Sequence, residues 1–318
     1  MESLSIGAMN VLKYEPWNDR DKGFLSITHN SVEELASTLC DVVDECQEGS
    51  RVTVRVVVSE DYPVREYPKG ICWQGVTLVP EAVVPICKDG VGAIVYFGAN
   101  TDQRIDGFVR DRVQDLLRIP EQEWFLIRQA EKAERKSKPL PDGYTVGILP
   151  KKVFQQDLQR LLEIYQGSYS TYITELNARA VGEMVQNNTI AVVRNSWGSI
   201  VAVSQAEVAL IELAEQDWQL IELTEYAADP KAGGNGFCRM CNELLVQKLS
   251  GPHSIIYSET RANSGAALGS NPVPMLVGGR LPAHCKMDST VKDVPQVGPY
   301  ANLCVWYLPQ GNSEKGAE

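Results

Sequence analysis

The sequence predicts an α/β protein, with a C-terminal mixed sheet flanked by helices and a second α/β domain ahead of it. Three observations carry this. Short β-branched runs alternate with stretches whose apolar residues recur at helical spacing, as in a sheet covered by helices. A charged segment ending in Pro139 and Pro141 divides the chain near its middle. A glycine-rich turn, Asp229 to Gly236, joins a strand directly to a helix in the second half. With 318 residues the chain suits two domains of roughly 150 residues rather than one core. We expect them at 1–130 and 144–310, with a linker over 131–143 and a polar tail over 311–318.

In the first half, Gly23–His29 alternates as a short strand. Ser31 starts a helix, with Glu34 three residues on to complete a capping box, and Val32, Leu35, Leu39, Val42 and Val43 form its apolar stripe. Arg51–Ser59 and Ala93–Phe97 are β-branched runs, hence strands. Ile105–Arg118 reads as an amphipathic helix ended by Pro120. Asp61–Cys87 carries Pro63, Pro68, Pro80 and Pro85 and reads as less regular. Gly90 and Gly92 precede a strand rather than a helix, so this half is not expected to hold a phosphate. Glu131, Lys132, Glu134, Arg135, Lys136 and Lys138 read as a solvated helix end.

In the second half, Tyr144–Leu149 predicts a strand and Lys151–Tyr169 a helix with Leu158, Leu161, Leu162 and Tyr165 inward. Thr174–Asn187 is a second helix, and Thr189–Arg194 a strand. A turn over Asn195–Gly198 leads to a long strand, Ser199–Leu210. Trp218–Ala228 is the strand before the glycine-rich turn, and Gly236–Leu249 the helix after it. Ser254–Ser258 and Leu303–Leu308 are further strands.

Composition narrows the function. No segment approaches the roughly 18 uninterrupted apolar residues that span a bilayer, so no membrane partner is expected. Met1–Ser5 lacks the basic-then-apolar start of a secretory signal, which makes the cytoplasm the expected location. A net charge of −11 argues against nucleic acid, whose phosphates need a basic face, and suits a cationic amine. Cys238 and Cys241 form a lone C-x-x-C, without a second pair and with only three histidines, so no metal is expected. Reduced thiols in the core are the simpler reading.

The turn carries the chemistry. Glycines at a strand-to-helix junction let the backbone bend sharply with its amides converging on one spot. The helix that begins there offers unpaired N–H groups and a partial positive charge, a fit for a phosphate. The segment is neither a P-loop, since Gly-Lys-Ser/Thr is missing, nor a full dinucleotide fingerprint, since Arg239 stands where a third glycine would be. Alone it reads equally well as a plain glycine-rich turn.

Lys231-x-x-Gly234-x-Gly236 resembles the R/Q-x-x-G-x-G/A signature of the GNAT superfamily of N-acetyltransferases, and the order of flanking strands and helices agrees. Asn263-Ser264-Gly265-Ala266 is similar to that family's N-x-x-A segment. Ile221–Asp229, Arg261–Ser264, Val277–Leu281 and Val305–Pro309 occur in the order seen in β-lysine N6-acetyltransferases, and Pro16–Arg20 resembles the P-Y-N-D-R near their start. The resemblance implies a GNAT-like C-terminal domain and a degenerate GNAT-like N-terminal domain that shapes the substrate cleft or a homodimer. It implies acetyl-CoA, or another acyl-CoA, as co-substrate and a small-molecule, amino-acid-like amine as acceptor. The co-substrate would lie along Tyr226, Ala227, Ala228, Lys231, Gly233, Gly234, Asn235, Gly236, Phe237 and Asn263. Departures from the family pattern include Gly233 in place of an arginine, Gly265-Ala266-Ala267 in place of G-M-N, and Ser270 where a general-acid tyrosine often stands.

Attack on a thioester needs a neutral amine, hence a base. Glu207 on the long strand and Glu225 on the strand before the turn are the candidates, with Glu222 as a third base or a substrate contact. Alternation places Glu207 with Gln205, and Glu225 on the face opposite Glu222. Each also reads as an ordinary exposed strand glutamate. Amides near Ala227 and Ala228 could hold the oxyanion. Ser264, Tyr300 or Tyr307 could supply the thiolate's proton, and Arg261 a partner for a substrate carboxylate or a nearby glutamate. Trp197, Trp218 and Trp306 read as packing residues. The competing reading is a non-catalytic acyl-CoA-binding or scaffolding module; a protein-lysine or N-terminal acetyltransferase is disfavoured by the resemblance.

Overall fold

The computed structural model of the chain describes residues 12–13, 17–19, 24–29, 53–58, 71–73, 76–85, 93–100, 139–169, 176–213, 216–232, 235–261, 275–286 and 300–309. The first-half strands are β1 (Leu12–Lys13), β2 (Trp17–Asp19), β3 (Phe24–His29), β4 (Thr53–Val58), β5 (Ile71–Trp73), β6 (Val76–Pro85) and β7 (Ala93–Asn100). The second half begins with β8 (Thr145–Ile148), helices α1 (Gln155–Ser168) and α2 (Ala178–Asn187), and β9 (Thr189–Arg194). It continues with β10 (Ile200–Leu213), β11 (Gln216–Ala228), helix α3 (Phe237–Leu249), β12 (Ser254–Arg261), β13 (Leu276–Lys286) and β14 (Tyr300–Tyr307).

All these strands share one mixed sheet in the order β2-β3-β4-β7-β6-β13-β14-β12-β11-β10-β9-β8, with β1 beside β10 and β5 beside β6. The halves meet where Gly279 of β13 pairs with Ala82 of β6. That crossing needs glycine: a Cβ at Gly278 would lie 2.8 Å from the Val83 carbonyl oxygen, and one at Gly279 2.3 Å from that of Glu81.

Local chemistry explains the helices. α1 carries Asp157 in its first turn, where a negative charge suits the dipole, and Arg194 grips that carboxylate in two bonds of 2.8 and 2.9 Å. Asn177 caps α2 by accepting from the Ala180 N–H at 3.0 Å. Leu161, Ile164 and Tyr165 of α1 and Val181 and Val185 of α2 pack on Ile190, Val192, Val203 and Ala227 of the sheet. α3 covers the opposite face, setting Phe237, Cys241 and Leu245 against Ala206, Ile221, Leu223 and Ile256. A third cluster joins the two halves: Ala82, Val84, Ile94 and Tyr96 bury against Leu220, Ile255, Tyr257 and Val305. Each such aliphatic side chain contributes about 1.5–3 kcal/mol of transfer free energy. Tyr96, fully buried, also donates to Glu259 Oε1 at 2.8 Å across the same junction.

The strands and helices expected in the second half form with shifts of a few residues at their ends. Two expectations need correction. The stretch Asp61–Cys87, which reads in sequence as less regular and without a strand, holds two, β5 and β6, over Ile71–Trp73 and Val76–Pro85. Pro80 is accommodated at a bulge, where Pro80 pairs with Phe97 and the next pair is Ala82 with Tyr96. Trp197 is not a packing residue; it stands 89% exposed at the β9–β10 turn, whereas Trp306 is buried and donates to Thr260 Oγ1. The helices expected from Ser31 and over Ile105–Arg118, and the charged residues 131–138, lie outside the described residues.

Candidate active site

β10 and β11 run antiparallel as the longest pair in the second half, and β12 lies parallel to β11 on the other side. The β11–β12 ladder begins at Gln219 and Ser254 and ends at Leu223 and Ser258, although β11 continues to Ala228 and β12 to Arg261. The two strands therefore form a fork that opens toward the turn before α3. The Ser258 hydroxyl at its vertex is buried and has no hydrogen-bond partner among the described residues.

On its other side β11 is irregular at the same level. Val203 pairs with Ala227 and Gln205 with Thr224, so Glu225 and Tyr226 together face Ser204 alone. This is a bulge, and Glu225 sits at φ 41°, a conformation that L-residues other than glycine rarely adopt. The bulge overturns simple alternation: the Glu225 carboxylate accepts a hydrogen bond from Gln205 Nε2, on the face that Gln205 shares with Glu207. Glu222 pairs directly with Glu207 across the strands, so Glu225 lies with Glu222 rather than opposite it. Tyr257 donates to Glu222 Oε2 at 2.9 Å. The three candidate carboxylates thus converge on one face.

The last turn of α1 and the residue after it press on the bulge. Tyr169 donates to the Tyr226 carbonyl at 2.9 Å, and Ser168 Oγ donates to that of Ala228 at 3.3 Å. The fully buried Tyr165 hydroxyl finds no hydrogen-bond partner among the described residues. Burial, reinforced by the charge of Glu225, holds both phenols protonated well above the usual tyrosine range.

Beyond Ala228 the chain is tied down before it turns. The Asp229 N–H donates to the Val201 carbonyl, and its side chain accepts from the Lys231 N–H at 2.8 Å and from Arg160. Those two hydrogen bonds hold the Asp229 carboxyl below its ordinary range. Arg160 also donates to the Ile200 carbonyl at 2.9 Å, so α1, β10 and the turn meet at one guanidinium. Pro230–Ala232 makes a single 3-10 turn, and Asn235 Nδ2 closes back on the Ala232 carbonyl at 3.1 Å. Gly236 caps α3 at φ 74°, a left-handed conformation, and a Cβ there would meet nothing within 4 Å. The described residues leave the space at Gly236 open, which is what an anion at the helix start requires.

Among the expected contacts, Lys231 spends its backbone N–H on Asp229, so its own share in anion binding falls to its exposed side chain. Ala227 is buried beneath α1, and Phe237 is buried and stacked on Tyr144 at 5.1 Å, so both offer backbone rather than side chain. Gly233, Gly234, Asn263 and Ser264 lie outside the described residues, as do the side chains of Arg261 and Tyr300. Tyr307 packs in the cluster that joins the halves. Cys238 and Cys241 are free thiols, and burial pushes Cys238 up to about 12, which fits core residues rather than nucleophiles. No group of three or more metal-ligating side chains gathers among the described residues. Sequence reasoning missed Asn188, Arg160 and Tyr169 as parts of this site; their partners are distant in the chain.

No protein-family profile and no curated protein sequence matches the chain. Among solved structures, Arabidopsis thaliana NAA60 in complex with acetyl-CoA is similar at 12% identity and a TM-score of 0.40, over 52% of this chain and 98% of that one. The protein yncA from Salmonella typhimurium with its cofactor acetyl-CoA gives 12% identity and 0.38, over 55% and 98%. A mutant of spermidine N-acetyltransferase SpeG from Vibrio cholerae gives 14% and 0.39, over 56% and 100%. At such identities and scores the chemistry of the site has to be read from its own residues.

Proposed function

We propose that the chain is an acyl-CoA-dependent N-acetyltransferase of the GNAT type, acting on the amine of a small amino-acid-like molecule. The observation that carries this reading is the fork: β11 and β12 part after Leu223 and Ser258 while both strands continue. Where two neighbouring strands part, an extended amide-bearing ligand can lie along the gap and hydrogen-bond to backbone. The fork opens at a turn whose glycine cap leaves space at Gly236 and whose helix begins with N–H groups that have no intrahelical acceptor, so a pyrophosphate would fit where the thread of the ligand ends. The sequence signature Lys231-x-x-Gly234-x-Gly236 occupies that turn.

Acetyl-CoA, when bound, supplies an acetyl group activated as a thioester. The chain's residues then divide the work. Glu225 takes the proton from the acceptor ammonium so that the amine can attack. Its reach to the β11 bulge sets it beside the amides of Ala227 and Ala228, which would hydrogen-bond the oxyanion as it develops. Glu207 and Glu222, paired on one face, favour a cationic acceptor over a neutral one. Arg261 would meet an acceptor carboxylate. The C–N bond forms and the C–S bond breaks; the attacking nitrogen gives up its second proton, which is relayed through Ser264, Tyr307 or water to the departing thiolate, leaving the relay group as it began. An acceptor of the β-lysine kind and a homodimer agree with the sequence resemblance.

A non-catalytic acyl-CoA-binding module is the second reading, favoured by Ser270 in place of the usual general-acid tyrosine. Thiol release from acetyl-CoA, followed over diamino acids, diamines and peptides, separates the two. Turnover on a free diamino acid is the expected result. CoA binding with no thiol release on any amine would select the module.

A further inference from the structure

The buried amide of Gln205 has no part in the reaction as described so far, yet it links the two best base candidates. Gln205 is fully buried at the middle of β10. Its Nε2 donates to Glu225 Oε2, and its Oε1 accepts from Asn188 Nδ2 at 3.2 Å. The same Asn188 nitrogen donates to Glu207 Oε1 at 3.4 Å. An amide nitrogen has two hydrogens, so both bonds can be made at once.

This chain of bonds has a direction. Ionised Glu207 can only accept, so Asn188 must turn its nitrogen toward it. That nitrogen's second hydrogen meets Gln205, which must therefore present its oxygen to Asn188 and its nitrogen to Glu225. A flipped Gln205 would set two acceptor oxygens against each other at Glu225 and two N–H donors against each other at Asn188. The exposed carboxylate of Glu207 thus fixes, through two amides, a donor aimed at the carboxylate on the bulge. Among the described residues, titratable groups near Glu225 include the phenols of Tyr165 on α1 and Tyr169 at its C-cap, with the Tyr226 phenol and the thiols of Cys238 and Cys241 around them.

We propose that Gln205 is a positioning residue for Glu225, holding its carboxylate ionised and oriented on the bulge, and that Asn188 and Glu207 lock Gln205 in the donating sense. The proposal rests on the transferase reading for its catalytic consequence. It also selects between the candidates: Glu225 is the base, and Glu207 the far anchor of the network.

The test has one arm that does not depend on activity. Carbon-13 NMR titration of glutamate-labelled protein, with the Glu225 resonance assigned from E225Q, should show Glu225 titrating at least one pH unit higher in Gln205→Leu than in wild type. Asn188→Ala, which keeps Gln205 but frees its amide to flip, should move it the same way by less and guards against misfolding of the first variant. An unchanged Glu225 titration in both variants overturns the proposal. In the second arm, the acid limb of kcat/KM should shift upward in both variants, with kcat down tenfold or more in Gln205→Leu and acetyl-CoA affinity within twofold of wild type. Loss of acetyl-CoA binding in step with activity would mark Gln205 as merely structural and overturn the proposal. Wild-type protein that binds no acetyl-CoA would sink the transferase reading, while the NMR arm would still decide the role of Gln205.

Discussion

Leu223 and Ser258 are the last partners that β11 and β12 share, and beyond that pair both strands continue without pairing with each other. Buried backbone donors and acceptors almost always find partners, so a parted pair of central strands is an uncommon feature in a folded domain. Here the parting coincides with the bulge at Glu225 and with the turn that starts α3. All three follow one another along the chain between Leu223 and Phe237.

Glu225→Gln keeps the shape of the side chain and its place beside Gln205 but removes the proton acceptor. We expect kcat to fall by about 10²–10⁴-fold, the usual worth of a general base, with acetyl-CoA affinity unchanged. Glu207→Gln should cost less than this. Steady-state kinetics beside calorimetric titration of the co-substrate checks both. A larger loss at Glu207 than at Glu225 would contradict the assignment.

Gly236 holds φ 74° with open space around its missing Cβ, so substitution there acts through the backbone alone. Gly236→Ala should strain the cap by about 1–2 kcal/mol and weaken acetyl-CoA binding, whereas Gly236→Asn should be milder because asparagine tolerates the left-handed region. Equal affinities in the two variants would show that the cap conformation has no bearing on the ligand.

Asp229 and Arg160 tie the turn to α1. The Asp229 carboxyl is held below its ordinary value, so its contribution to stability is complete above the unfolded pKa of about 3.9 and is lost as pH falls through the lower folded value. Asp229→Asn should therefore cost roughly 1 kcal/mol in urea denaturation at neutral pH, with the gap to wild type narrowing once the pH drops below about 3.9. A gap that persists undiminished in acid would mean the carboxylate's charge contributes nothing.

Gly279→Ala would force a methyl group to within 2.3 Å of the Glu81 carbonyl oxygen, where β13 crosses to β6. Relief requires moving one strand off the other, so a loss of about 3 kcal/mol is expected, the size that core overpacking typically produces. Thermal or chemical unfolding measures it directly. Wild-type stability in this variant would mean the two halves do not meet there in solution.

Much of the second half could be read from sequence because its signals are local. The β-branched run of β9, the apolar spacing of α1 and the glycine before α3 each act within a few residues. Non-local features could not be read so. The bulge exists only relative to β10, where two residues of β11 face one, and without that partner alternation puts Glu225 on the wrong face. Gln205 looks like any strand polar residue until Asn188 and Glu225 come to either side of it. The strand β13 hid behind Gly278, Gly279 and Pro282, which break the pattern of a strand for the sake of a close crossing. Arg160 and Asp229 lie 69 residues apart, and only the docking of α1 on β11 makes them a pair.

Isothermal titration of the intact protein with acetyl-CoA bears most directly on the fork and the turn as a co-substrate site. Saturable one-to-one binding, weakened in Gly236→Ala and retained in Glu225→Gln, is the predicted result. Absence of heat at millimolar acetyl-CoA from folded protein, or binding indifferent to Gly236, would contradict it.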